Sequence, residues 1–284
     1  MGVKIGVSPI SWTNDDMPEL GRDTTVEQCL QEGRQAGYRG FELGGKWPRD
    51  VSVLEPLFSK HGMDVVSSWF CGGLLKDTIE GEIERITPHM QLLKELGTDV
   101  IVYCEMDSCV HGDIDSPLSK RPILNDDQWK EWTEKLDQLA KYTLSHGMKL
   151  AYHHHMGTVV QVEEEVDKLM AMTSHDLGLV FDTGHFIYAG ADPLNAVSAG
   201  WAYRRRQTAS FAARCHAAVS PHTALIRRCR SLVRKTGFPV TRPARSGRPL
   251  RYHYSWVVSQ ICGDHGAKQD KIVDPTIRGS VHRA

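Results

Sequence analysis

The chain has 284 residues and a formal net charge of -1, a length that suits one large α/β barrel or two smaller domains. The near-neutral sum hides an asymmetry: residues 1–200 hold 17 Lys+Arg against 32 Asp+Glu, whereas residues 201–284 hold 17 against 3 and contain no glutamate. No run of about 18 apolar residues occurs, so no membrane-spanning helix is expected, and Val3-Lys4-Ile5-Gly6-Val7 at the amino terminus reads as a strand rather than a leader.

Lys4 to Trp12 is a short apolar run of the kind a buried parallel strand needs. Thr24 and Thr25 precede Glu27 and Gln28 at capping-box spacing and open a helix that stops at Gly37. Phe41-Glu42-Leu43 is the second strand. Ser52 with Glu55 opens the next helix, which ends at Gly62, and Asp64 to Phe70 is the third strand. A helix over Glu80 to Leu96 stops at Gly97, and Val100 to Glu105 is the fourth strand. A long loop, Met106 to Asn125, follows; loops of this length in compact domains are usually functional. Asp126 or Asp127 then starts a helix with Trp129, Trp132, Leu136 and Leu139 on one core-facing stripe. Leu150 to His155 is the fifth strand, Val162 to Met172 the fifth helix, Leu177 to Thr183 the sixth strand, and Asp192-Pro193 starts a sixth helix.

Six strand–helix repeats argue a parallel sheet with right-handed crossovers. A doubly wound sheet would want a Gly-rich phosphate turn after the first strand, and Ser8-Pro9-Ile10-Ser11 is not one. The expected fold is α/β, a (β/α)8 TIM barrel, with residues 1–200 as its first six units. Residues 201–284 break the pattern. Arg204-Arg205-Arg206, Arg227-Arg228 and the prolines at 221, 239, 243 and 249 interrupt any period, and only Ser255 to Ile261 reads as a strand. The barrel is therefore expected to be incomplete or disordered after strand six. An out-of-frame stretch of a GC-rich gene would have this composition. A basic nucleic-acid-binding tail is the alternative from another class, but the segment lacks aromatic interleaving, so no nucleic-acid partner is expected.

In a barrel the site lies at the carboxyl ends of the strands. Trp12 and Asn14 follow strand one, Glu42 is on strand two, Trp69 ends strand three and Glu105 ends strand four. His153 and His155 share one face of strand five, with His154 on the other. Asp182 lies on strand six and His185 just beyond it. Charged groups inside parallel strands are costly without partners, so a shared hydrated or metal-filled site explains them together. Glu42, His153, His155 and His185 are the candidates for proton transfer. Asp182 and His153 are the candidate metal ligands, of a kind that suits Mn, Co, Zn or Fe. Trp12, Asn14, Trp69, Glu105 and His154 are the candidate substrate contacts. Asp182-Thr183-Gly184-His185 also reads as a helix-capping turn. The seven cysteines form no CxxC pair and read as free thiols of a reducing, cytoplasmic setting.

Lys4 to Asp16, Phe41-Glu42-Leu43-Gly44, Tyr152 to Thr158 and Phe181 to His185 together resemble the inosose dehydratases, over about residues 3–195. The resemblance implies a xylose-isomerase-like barrel and the dehydration of 2-keto-myo-inositol (scyllo-inosose) to a cyclohexanedione. It also implies Co2+ or Mn2+ as cofactor, with glutathione beside it. The wider superfamily takes metal ligands from strands five to eight. His153 and Asp182 match the first two by position, and the last two have no recognisable counterpart, leaving His216, His222, His253 or Asp264 as substitutes. A sugar isomerase or epimerase of the same superfamily is the alternative within enzymes. The expected partner is a small-molecule cyclitol, with no membrane, and with a homo-oligomer left open.

Overall fold

The computed structural model describes residues 4–113, 115–193, 209–214 and 256–260. Within them, six parallel strands alternate with six helices. The strands are β1 (Lys4–Val7), β2 (Gly40–Leu43), β3 (Asp64–Gly72), β4 (Val100–Glu105), β5 (Lys149–His153) and β6 (Leu177–Asp182). The helices are α1 (Val26–Gln35), α2 (Val51–His61), α3 (Ile79–Glu95), α4 (Asp126–Ser145), α5 (Glu163–Met172) and α6 (Thr183–Tyr188). Two further strands, β7 (Ala209–Arg214) and β8 (Trp256–Gln260), complete a closed sheet in the order β1 to β8.

Each strand is sorted by its period of two. In β4, Val100 and Val102 face the barrel interior with Ala151 of β5 and Val180 of β6. Ile101 and Tyr103 face outward into the layer between sheet and helices, with Leu150, Tyr152, Leu179 and Phe181. The outward layer is the larger core and includes Trp129, Trp132, Leu136 and Leu139 from α4, the stripe expected from sequence. Close approach inside the barrel requires glycine at Gly40, where a Cβ would fall 2.1 Å from a Val66 methyl.

The helix starts follow capping chemistry, with some changes of residue. Thr25 caps α1 by accepting from Gln28 N, as expected. Asp50, rather than Ser52, caps α2. Asn125, rather than Asp126 or Asp127, caps α4 and forms a capping box with Gln128. Both substitutes sit one or two residues upstream, where the side-chain oxygen reaches the N2 or N3 amide. A short helix over Thr183–Tyr188 follows β6 directly; at the expected start Asp192-Pro193, Pro193 is helical and the residues directly after it lie outside the described ones.

After strand six the described residues are the two short strands β7 and β8, which pair with each other and with β6 and β1. Register pairs run from Phe211 to Phe181 on one side of the seam and from Val7 to Val257 on the other. The closure differs from a regular barrel, because β8 is antiparallel to both β7 and β1. The strand expected at Ser255 to Ile261 is thus present. The remainder of the arginine-rich segment, including His216, His222, His253 and Asp264, lies outside the described residues. None of the described helices is long and apolar enough to cross a membrane. Cys29, Cys71, Cys104 and Cys109 are free thiols, as expected, and Cys71 is exposed.

Candidate active site at the carboxyl ends of the strands

A cavity of about 370 Å³ opens at the carboxyl ends of the strands. Of the residues expected there, Glu42, Trp69, His153 and His155 line it. The inward parity of β5 and β6 sets His153, which lines the cavity, beside Asp182, which like His185 is not among the lining residues. His153 Nε2 lies 3.3 Å from Asp182 Oδ2, and His185 Nε2 lies 3.6 Å from the same oxygen. All three side chains are buried, and their ligand atoms fall within 4.8 Å of one another.

Asp182 does two things at once. Its Oδ1 accepts the amides of Gly184 at 2.8 Å and His185 at 2.9 Å, which starts α6. Its Oδ2 is left for the imidazoles. The capping reading of Asp182-Thr183-Gly184-His185 thus holds, and it is compatible with the site reading, since the cap uses Oδ1. A donor set of two imidazoles and one carboxylate fits a divalent first-row transition ion.

Glu42 reaches in from β2. Ser67 Oγ donates to its Oε2 at 2.7 Å. Burial pushes the Glu42 carboxyl above the usual carboxylate range, against the downward pull of the Ser67 hydroxyl and of His153. His155 Nδ1 donates to the Met156 carbonyl at 2.9 Å, since a carbonyl can only accept. The Trp69 ring stands edge-on to both His153 and His155, with centroids 5.1 and 5.8 Å away.

Four expected substrate contacts do not reach the cavity. Glu105 has outward parity, like Tyr103. It is fully buried behind the barrel, accepting from Trp132 Nε1 at 2.9 Å and from the Asp107 amide at 3.1 Å. Burial pushes its carboxyl up to about 7. His154 also faces outward and packs on Phe186, with ring centroids 4.3 Å apart. Burial, then the neighbouring His153, pulls its imidazole down to about 3, so it is neutral. Trp12 turns to α1, donating Nε1 to Glu32 at 2.7 Å. Asn14 is spent on its own loop, accepting the amides of Asp16 and Met17 at 2.9 Å each.

Other residues replace them. Asp15, Asp16, Arg49 and His111 line the cavity, and their site role was not read from sequence. Arg49 donates to Ser68 Oγ at 3.1 Å and to the Gly44 carbonyl at 3.0 Å. Asp15 accepts the Gly45 amide at 2.8 Å. Lys46 donates to the carbonyls of Gly21, Arg22 and Thr24 and so fastens the loop after β1 to the loop after β2. For His111 the available signal was the length of the Met106–Asn125 loop.

Residues 30–241 match the family model described as a xylose isomerase-like TIM barrel. The chain belongs to the xylose isomerase-like TIM barrel family. It is 46% identical over 194 residues to the rhizopine catabolism protein MocC of Rhizobium meliloti, covering 68% of this chain and 60% of that protein. It is 43% identical over 197 residues to the inosose dehydratase of Clostridium perfringens, covering 69% of this chain and 66% of that enzyme. The matched part thus spans less than two thirds of these relatives' length. Among solved structures, the probable 3-DHS dehydratase AsbF of Bacillus anthracis superposes with a TM-score of 0.53 at 14% identity, over 69% of each chain. A sugar phosphate isomerase/epimerase of Parabacteroides distasonis gives 0.52 at 16%, over 70% of this chain and 72% of that one. At such identities the likeness concerns the fold alone.

Proposed function

We propose that the site is that of a dehydratase, a hydro-lyase that removes water from 2-keto-myo-inositol through an enolate. The observation that supports this best is the buried His153–Asp182–His185 trio, whose His153 lines one cavity with Glu42 and His155. Similarity to proteins named inosose dehydratase supports the same reading.

His153, Asp182 and His185 would hold Mn2+ or Co2+, which stabilises a developing enolate oxygen as a Lewis acid. The chain's own groups handle the protons. A ketone acidifies the neighbouring C–H, and a carboxylate whose basicity is raised by burial is a stronger base for it. Glu42 fills that role, held in place by the Ser67 hydroxyl on Oε2 and by the Ser8 hydroxyl. His155, whose Nδ1 donates to the Met156 carbonyl, lines the cavity and can, when protonated on Nε2, assist loss of the β-hydroxyl as water. Trp69 walls the cavity and limits bulk water. The reading includes a cytoplasmic setting and a free small cyclitol as ligand. Glutathione belongs to it through the resemblance only.

The test is the ultraviolet absorbance of the dione product. A protein joining residues 1–195 to the corresponding carboxyl-terminal part of the Clostridium perfringens enzyme should form it from 2-keto-myo-inositol with Mn2+ or Co2+, chelation should abolish it, and Glu42→Gln in that protein should lower kcat by about 10²–10⁴. Interconversion of ketoses without dione would sink the dehydratase reading in favour of an isomerase or epimerase.

A further inference from the structure

The pocket mouth holds a pair that the proton chemistry leaves unused. His111, from the loop after β4, and Asp16, from the loop after β1, both line the cavity. Their strands are not neighbours in the sheet, so the pair spans the mouth from one side to the other. The His111 side chain is 9% exposed, and its Nε2 lies 3.4 Å from Asp16 Oδ1. Its Nδ1 is buried without a hydrogen-bond partner. A buried N–H without an acceptor is rarer than a bare acceptor, so the proton of the neutral ring belongs on Nε2. The pair then presents one donor, His111 Nε2–H, and one acceptor, Asp16 Oδ1.

Their separation is longer than an ordinary N–H···O bond. A ligand hydroxyl can accept from one and donate to the other at the same time. The loop is held in place for this. The Val110 amide donates to the Gly157 carbonyl at 2.9 Å. Gly157 has φ +77°, and a Cβ there would fall 2.8 Å from the His111 amide nitrogen. On the other side, Asp15 and Lys46 fasten the β1 loop to the β2 loop.

We propose that Asp16 and His111, whose ring packs edge-on against His155 with centroids 4.7 Å apart, form a hydroxyl-reading pair that grips one hydroxyl of a cyclic polyol and sets specificity for its configuration. This rests on the dehydratase reading only for the identity of the ring. Its test is therefore direct binding. Trp69 lines the same cavity, so tryptophan fluorescence can report titration with 2-keto-myo-inositol and with its monodeoxy and epimeric analogues, in the full chain.

His111→Phe removes the donor and Asp16→Ala the acceptor. Each should weaken binding of the ketone about tenfold or more. His111→Gln, which keeps an N–H donor, should restore most of the loss. One deoxy analogue should bind wild type weakly and be indifferent to all three substitutions, whereas a merely structural role would weaken every analogue alike. Asp16 is 45% exposed, so its variant should fold even where the His111→Phe variant does not. Equal loss across all analogues, or unchanged affinity for the ketone in Asp16→Ala, would overturn the proposal, as would a wild type that binds no cyclitol. Binding with the expected pattern but without dione formation would uphold the pair and reject the dehydratase chemistry.

Discussion

At the residue scale, Asp182 shows how one side chain can satisfy two demands. Removing the carboxylate also removes the cap of α6, and such caps contribute about 0.5–2 kcal/mol. Asp182→Ala is therefore expected to lower the melting temperature as well as divalent-ion affinity. Asp182→Asn separates the effects, since asparagine caps nearly as well as aspartate but carries no charge. Its melting temperature without ion should stay near wild type while calorimetric affinity for Mn2+ falls at least tenfold. Unchanged affinity in the Asn variant would mean that the trio does not bind the ion. The sequence made Asp182, His153, His155 and Glu42 visible because costly groups sat on otherwise apolar strands. Asp16 and His111 were invisible because a polar residue in a loop carries no such cost.

At the element scale, strand parity explains the main misreadings. Glu105 and His154 were placed in the site because they stand near strand ends, yet the period of two turns them outward, toward α4 and α6. Applying parity along Val100 to Glu105 would have sent Glu105 to the helix layer. There it behaves as a buried acid. Its folded carboxyl titrates near 7 against an ordinary 4.5, so the protonated form is favoured by folding. That contribution is complete below about pH 4.5 and is lost as pH rises to about 7, a change of about 3 kcal/mol. Glu105→Gln keeps an acceptor for Trp132 and removes the titration. The stability of the variant relative to wild type should rise between pH 4.5 and 7.5 in urea denaturation. A pH-independent difference would show that Glu105 is ionised in the fold.

At the scale of the whole molecule, the barrel type and its first six units were legible because each strand–helix repeat carried its own cap, stop and apolar run. The closure was not, because β7 lies in a stretch whose arginines and prolines mask any period. The charge shift near residue 200 and the 60–66% coverage of the relatives set the expectation for the chain as it stands. Joining residues 1–195 to the corresponding carboxyl-terminal part of the Clostridium perfringens enzyme should raise the melting temperature and the dehydratase rate. The 284-residue chain should show at most trace turnover and low solubility. Equal rates and melts for the two proteins would show that residues 201–284 serve as well as the relative's own.

The direction of β8 also changes where a final site residue can be sought. In an all-parallel barrel every strand points its carboxyl end at the ligand. Here Trp256 pairs with Arg214 and Val257 with Val7, while Gln260 pairs with Lys4. The amino end of the last strand is thus the one that reaches the rim carrying the candidate site. Any residue transferred from a relative by counting forward along strand eight would land on the opposite mouth of the barrel, so polarity has to be matched before position.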